Sequence, residues 1–82
     1  MMWRTNPTQL IRYTLRIEGM NDLAALGRVR ITLVRLGLIV DRLLPGEADV
    51  AAAQTGNPGP EGIEQALAAI GCRLSTAKAR KG

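Results

Sequence analysis

The sequence predicts an α+β fold, and three observations predict it. Ile11, Tyr13, Leu15 and Ile17 alternate with Arg12, Thr14, Arg16 and Glu18, the period of a strand with one buried face. Behind them Leu26, Val29, Leu33 and Leu36 recur at helical spacing, and Gly37 stands where a left-handed helix C-terminus wants it. A second apolar run, Leu38 to Leu44, ends at Pro45-Gly46. Strand, helix, strand and tight turn make up the first half of a split βαβ sandwich.

The elements follow in order. Residues 1–8 are expected as a flexible leader, with Pro7 near its end, and the first strand runs from about Gln9 to Glu18. Asn21 and Asp22 are helix-start residues, and the helix extends from about Asp22 to Leu36. It is unusually apolar, because Ile31, Val34 and Leu38 add a second stripe beside the first. A helix covering one small sheet needs one stripe, so the second implies contact with the other helix or with a partner. Pro45-Gly46 fits the central positions of a type II turn. For residues 47–55 the alanines favour helix by propensity, whereas a tight turn after a strand favours a returning strand. We take the strand.

Gly56-Asn57-Pro58-Gly59-Pro60 reads as a loop, after which Glu61 opens a second helix with Ile63, Leu67 and Ile70 on one face and Gly71 as its stop. Cys72, Leu74 and Thr76 then alternate with Arg73, Ser75 and Ala77 as a short last strand. The expected domain covers 9–77, with 78–82 a basic flexible tail and no internal repeat. The order βαββαβ is that of a ferredoxin-like sandwich, a four-stranded antiparallel sheet with two helices on one face. Its core is expected to hold Ile11 or Tyr13, Leu15, Ile17, Leu26, Val29, Leu33, Leu36, Val40, Leu67, Ile70 and Leu74.

Eighty-two residues make one domain. A chain this small buries only about 60–65% of its unfolded surface, so association with another surface is expected. The sequence has no Phe, one Trp and one Tyr, so its core is aliphatic. The net charge of +4 comes from nine Arg and two Lys, spread over the first strand (Arg12, Arg16), the first helix (Arg28, Arg35), the second strand (Arg42) and the tail (Lys78, Arg80, Lys81), the distribution of a solvated surface rather than a nucleic-acid patch. Single-strand RNA readers on this fold stack bases on exposed aromatics, and Tyr13 falls on the apolar face. No nucleic-acid partner is expected. No apolar run reaches membrane-spanning length and no secretory apolar core precedes residue 9, so the chain reads as cytoplasmic with no membrane partner.

Chemistry-bearing sets are missing. The sequence has no His, and Cys72 stands alone, so no internal disulfide, two-cysteine metal site or Cys–His pair can form. Cys72 reads as a small buried hydrophobe. The carboxylates Glu18, Asp22, Asp41, Glu47, Asp49, Glu61 and Glu64 fall mostly at element ends, where turns and helix dipoles explain them. Gly56-Asn57-Pro58-Gly59 lacks the Lys-Ser/Thr of a phosphate loop. No catalytic residue, no cofactor and no metal are expected; a binding or regulatory module is.

Ala25-Leu26-Gly27-Arg28-Val29, then Arg35-Leu36-Gly37-Leu38, then Val40-Asp41-Arg42-Leu43, resembles the first helix and second strand of ACT domains. The resemblance is nearest to the short regulatory small subunits of acetolactate synthase (acetohydroxyacid synthase), single ACT domains of about this length. It implies a non-catalytic subunit whose partner is the thiamine-diphosphate-dependent catalytic large subunit, in branched-chain amino-acid biosynthesis. It also implies a homodimer formed along the second strand, with Leu38, Val40 and Leu43 at the seam, and an effector site at Asn21, Ala24, Ala25 and Ile39. An alternative on the same fold is a free-standing ACT-type amino-acid sensor.

The chain departs from the family at two of those positions. Family members that bind an amino acid carry Asn-x-x-Gly-Ala-Leu, and this chain has Asn21-Asp22-Leu23-Ala24-Ala25-Leu26, with Ala24 at the glycine. Ile39 stands where the family places an Asn. A methyl at Ala24 crowds an approach to the helix N-terminus, so valine is expected to have little effect. Asn21 is then equally well explained as a helix-start residue. Leu15-Arg16-Ile17-Glu18-Gly19-Met20 also resembles heavy-metal-associated domains, but the Cys-x-x-Cys of that family would begin at Asp22 and end at Ala25. Without thiols there, no thiolate copper site forms.

Overall fold

The computed structural model describes residues 10–53 and 56–81, so the expected leader lies outside the described residues. Six elements follow one another: β1 (Leu10–Glu18), α1 (Leu23–Arg35), β2 (Ile39–Leu44), β3 (Glu47–Ala53), α2 (Gly59–Ala68) and β4 (Arg73–Lys81). The sheet order is β2-β3-β1-β4, with every neighbouring pair antiparallel. This is the ferredoxin-like α+β arrangement. Residues 47–53, where propensity and position disagreed, form the strand: pairing with both β1 and β2 outweighs the helical preference of alanine.

The odd-numbered side of β1 faces the helices. Tyr13, Leu15 and Ile17 are buried there against Ala25, Val29 and Leu33 of α1 and Ile63 and Leu67 of α2. Ala48, Val50 and Ala52 supply the same face from β3, an inner strand, and their small side chains let the helices settle close to the sheet. Of the expected core, Ile11, Leu26, Leu36, Val40, Ile70 and Leu74 are partly buried and pack against this cluster. Met20, Leu38 and Cys72 join it as fully packed members.

Both helices stop in the same way. Gly37 adopts φ +89° and Gly71 φ +82°, and the amides of Leu38 and Cys72 reach back to the carbonyls of Leu33 and Leu67 at 3.1 and 2.9 Å. The chain therefore reverses on a glycine and buries the next residue against the helix it has left. The repetition extends further. Val29, Leu33, Gly37, Leu38 and Val40 correspond at one fixed offset to Ile63, Leu67, Gly71, Cys72 and Leu74. The chain thus contains two similar halves where no internal repeat was expected; the side chains differ too much for identity to reveal them.

Two boundaries and one strand register differ from expectation. β4 continues through Lys81, paired with Ile11, so residues 78–81 are strand rather than tail, and the domain boundary at 77 moves outward. Helix α2 begins at Gly59, two residues before Glu61, because Asn57 Oδ1 accepts the Gly59 amide at 2.9 Å and Pro60 needs no partner in a first turn. A register shift opposite Arg16 and Ile17 places Ser75 as the extra residue of β4. Beyond this bulge the alternation inverts: Ala77 packs against the core and Thr76 is exposed, the reverse of strict alternation.

Candidate functional site

The start of α1 is built by Asp22. Its backbone is extended at φ −129°, and its Oδ1 accepts the Ala25 amide at 2.8 Å. One of the free donors of the helix N-terminus is thereby already used, and by a carboxylate. Asn21 and Ala24 beside it are exposed, whereas Ala25 is buried. Sequence reasoning gave the cap jointly to Asn21 and Asp22; the side-chain bond belongs to Asp22.

Ile39, the fourth residue expected at an effector site, lies elsewhere. It pairs with Ala51, which pairs with Arg12, so it sits level with the start of β1, whereas Asn21 follows the end of β1. Glu18 lies six residue steps along the strand from Arg12, about 20 Å. Within one chain Asn21, Ala24 and Ala25 come together and Ile39 does not join them.

β2 is an edge strand. Of the residues expected at a dimer seam, Leu38 is buried in the chain's own core, and Val40 and Leu43 are partly buried on the helix side. The large apolar side chains that β2 leaves exposed are Ile39 and Leu44. Val40 and Leu43 both reach the core, although three positions apart, because the pairing shifts between Val40 and Arg42. Asp41 is the extra residue, and Asp41 and Arg42 both turn to the open face of the sheet.

That open face carries a network no sequence pattern announced. Asp41 pairs with Arg12 of β1. Arg42 meets Glu47 and Asp49 of β3, each at 3.3 Å, and Thr14 Oγ1 donates to Asp49 at 3.1 Å. Near the β4 bulge, Ser75 Oγ donates to Glu18 at 2.7 Å. The carboxylates of β2 and β3 are therefore matched by cations on other strands, Asp41 by Arg12 across β3 and Glu47 and Asp49 by Arg42, and among the described residues no aromatic side chain lies on this face. A second missed feature is Asn57, whose Nδ2 donates to the hydroxyl of buried Tyr13 at 2.7 Å. Asn57 ties the start of α2 to the sheet through both ends of its amide.

Cys72 is buried, its Sγ 3.8 Å from the Gly19 carbonyl. Among the described residues no cluster of three or more His, Cys, Asp or Glu could hold a metal ion, and no helix is long and apolar enough to cross a membrane. A shallow open groove between α2 and β4, lined by Glu61, Glu64, Leu74 and Ser75, lacks enclosing walls. The fold and its surfaces define a small ferredoxin-like α+β domain with one charge-paired sheet face and an apolar edge strand. No family model, no curated protein and no solved structure matches the chain.

Proposed function

We propose that this chain is the non-catalytic regulatory small subunit of an acetolactate synthase, an ACT-type domain that binds and activates the catalytic large subunit in the cytoplasm. The observation that carries the reading is where the family likeness falls. Ala25 to Leu43 forms one continuous unit, α1, its glycine stop and the edge strand β2. In that unit Ala25, Val29 and Leu38 are buried, and Gly37 has the positive φ that its place in the pattern requires. The βαββαβ order around it is the one this family uses.

The condensation of pyruvate with a second 2-oxo acid belongs to the partner and its thiamine diphosphate. This chain would act by favouring one conformation of the catalytic dimer, through contacts that differ between its two states. Pairing of two β2 edges would join two sheets into one and cover Ile39 and Leu44, giving the homodimer that the resemblance implies. Reconstitution tests the reading. The purified chain, added to the catalytic subunit of the same organism, is expected to bind and raise its turnover; no binding and unchanged turnover would refute it.

A further inference from the structure

Helix α1 has two apolar faces, and its own fold covers one. Ala25, Val29 and Leu33 are buried against the sheet. Leu23, Ile31 and Val34 project from the opposite side, 86%, 55% and 54% exposed. With Gly27 between them, these residues fall on one line down the helix. The second stripe that the sequence shows is therefore not contact with α2; only Leu38, turned inward by Gly37, reaches the core.

Charge says what covers it. Arg30 flanks the stripe on one side, Arg28 and Arg35 on the other, and α1 carries no carboxylate. None of these arginines forms an ion pair among the described residues, although the sheet's open face pairs Arg12 and Arg42. Gly27 is exposed in mid-helix, with nothing within 4 Å of where a Cβ would stand. It costs the isolated helix about 1 kcal/mol relative to alanine, and nothing among the described residues requires it. A backbone approaching from outside would use the notch it leaves between Leu23 and Ile31.

We propose that the solvent-facing side of α1 is a docking surface for an acidic amphipathic helix of another protein. Such a helix lays apolar anchors at i, i+3, i+4 and i+7 along the stripe and sets carboxylates against the three arginines. A second copy of this chain is a poor occupant, because two-fold pairing of this face would oppose arginine with arginine. A bilayer is a poor one too, because the stripe carries no aromatic anchor. The proposal rests on the preceding reading only for the helix's source, the catalytic subunit.

The test uses the full chain, an Ile31→Asp/Val34→Asp variant and an Arg30→Glu/Arg35→Glu variant, with thermal melts to show that these exposed changes leave the fold intact. Probes are the catalytic subunit, a synthetic Leu-rich helical peptide flanked by Glu, the same peptide flanked by Lys, and phosphatidylglycerol vesicles. The Glu peptide is expected to shift backbone amide resonances of residues 23–35, with affinity at least tenfold weaker for either variant and weaker in high salt. The Lys peptide and vesicles are expected not to bind. Vesicle binding through this face, or a dimer that the Ile31→Asp/Val34→Asp variant abolishes, overturns the proposal, as does binding of neither the Glu peptide nor the catalytic subunit. If the catalytic subunit binds both variants as tightly as the natural chain, the docking surface is wrong and the subunit reading stands. If the peptide binds α1 and the catalytic subunit does not bind, the surface stands and the subunit reading falls.

Discussion

Arg12 on β1 reaches Asp41 on β2 across the intervening strand β3, where Ala51 is the register partner of Arg12. Ala51 is 1% exposed although it lies on the open side of the sheet, away from the helices. The bulge at Asp41 turns its carboxylate toward this face, and a short side chain at Ala51 is expected to leave room for the pair to close above β3. Both charged side chains are about two-fifths exposed, so solvent screens them and their coupling is expected at up to about 1 kcal/mol. A double-mutant cycle with Arg12→Ala and Asp41→Ala, read by urea denaturation, measures it. In an Ala51→Leu background the coupling should vanish; its persistence would mean that the pair does not pass over Ala51.

The helix ends give a second set of outcomes. Asp22→Ala removes the carboxylate that accepts the Ala25 amide and is expected to cost about 1 kcal/mol. Gly37→Ala introduces a methyl that meets no neighbour but forces alanine into φ +89°, a strain of about 1–2 kcal/mol. Gly27→Ala should do the opposite, gaining roughly 0.8–1 kcal/mol, because its backbone is ordinary helix and the space is open. Chemical denaturation of the three variants side by side checks both signs.

The Tyr13–Asn57 contact holds the start of α2 to the sheet. Tyr13→Phe leaves the Asn57 amide without that partner and should cost about 0.5–1.5 kcal/mol. Asn57→Ala loses this bond and the one to Gly59 together, so it should destabilise more and raise hydrogen exchange at the first turn of α2. Equal stability of the two variants would show that the loop is held by other contacts.

Valine is expected to bind weakly or not at all. An effector carboxylate seeks helix N-terminal amides, yet Asp22 already holds the Ala25 amide and adds a like charge there. Ala24 narrows the approach, and Ile39 supplies no amide side chain. A lost hydrogen bond to a charged group is worth roughly 1.5–3 kcal/mol, about one to two orders of magnitude in affinity. The Ala24→Gly/Ile39→Asn variant is expected to gain some binding, although one chain holds these positions far apart and the gain would need a second copy. Isothermal titration returning a micromolar valine affinity for the natural chain would place the effector site elsewhere.

Self-association along β2 follows from the proposed function. Ile39→Lys/Leu44→Lys puts charge on the apolar side chains left exposed at the edge. Sedimentation at micromolar concentration is expected to show a dimer for the natural chain and a monomer for the variant. A natural chain that stays monomeric without a partner contradicts the expectation.

Much of the fold was legible because local and long-range preferences agree. Alternation in β1, the cap at Asp22, the stops at Gly37 and Gly71 and the turn at Pro45-Gly46 each point to the element that forms. The bulges were not legible as such, though they left a trace. Val40 and Leu43, and likewise Leu74 and Ala77, are apolar residues three apart in strands, a spacing that strict alternation cannot place on one face. Strict alternation turns Thr76 inward, whereas the bulge at Ser75 turns it out. Around the candidate effector site, residue types pointed to Asn21, Ala24, Ala25 and Ile39 together, but strand register separates Ile39 from the others.

By itself the sequence determined the kinds and order of elements, the aliphatic core and the presence of a second apolar stripe on α1, since these depend on residues a few positions apart. Tertiary structure decided how far β4 extends, which side of each bulge faces the core, and that Arg12 meets Asp41 across β3. It also decided that Ile31 and Val34 stay uncovered while Leu38 is buried. These outcomes turn on which strand lies beside which and in what register, and the contacts that set register join residues far apart in the chain.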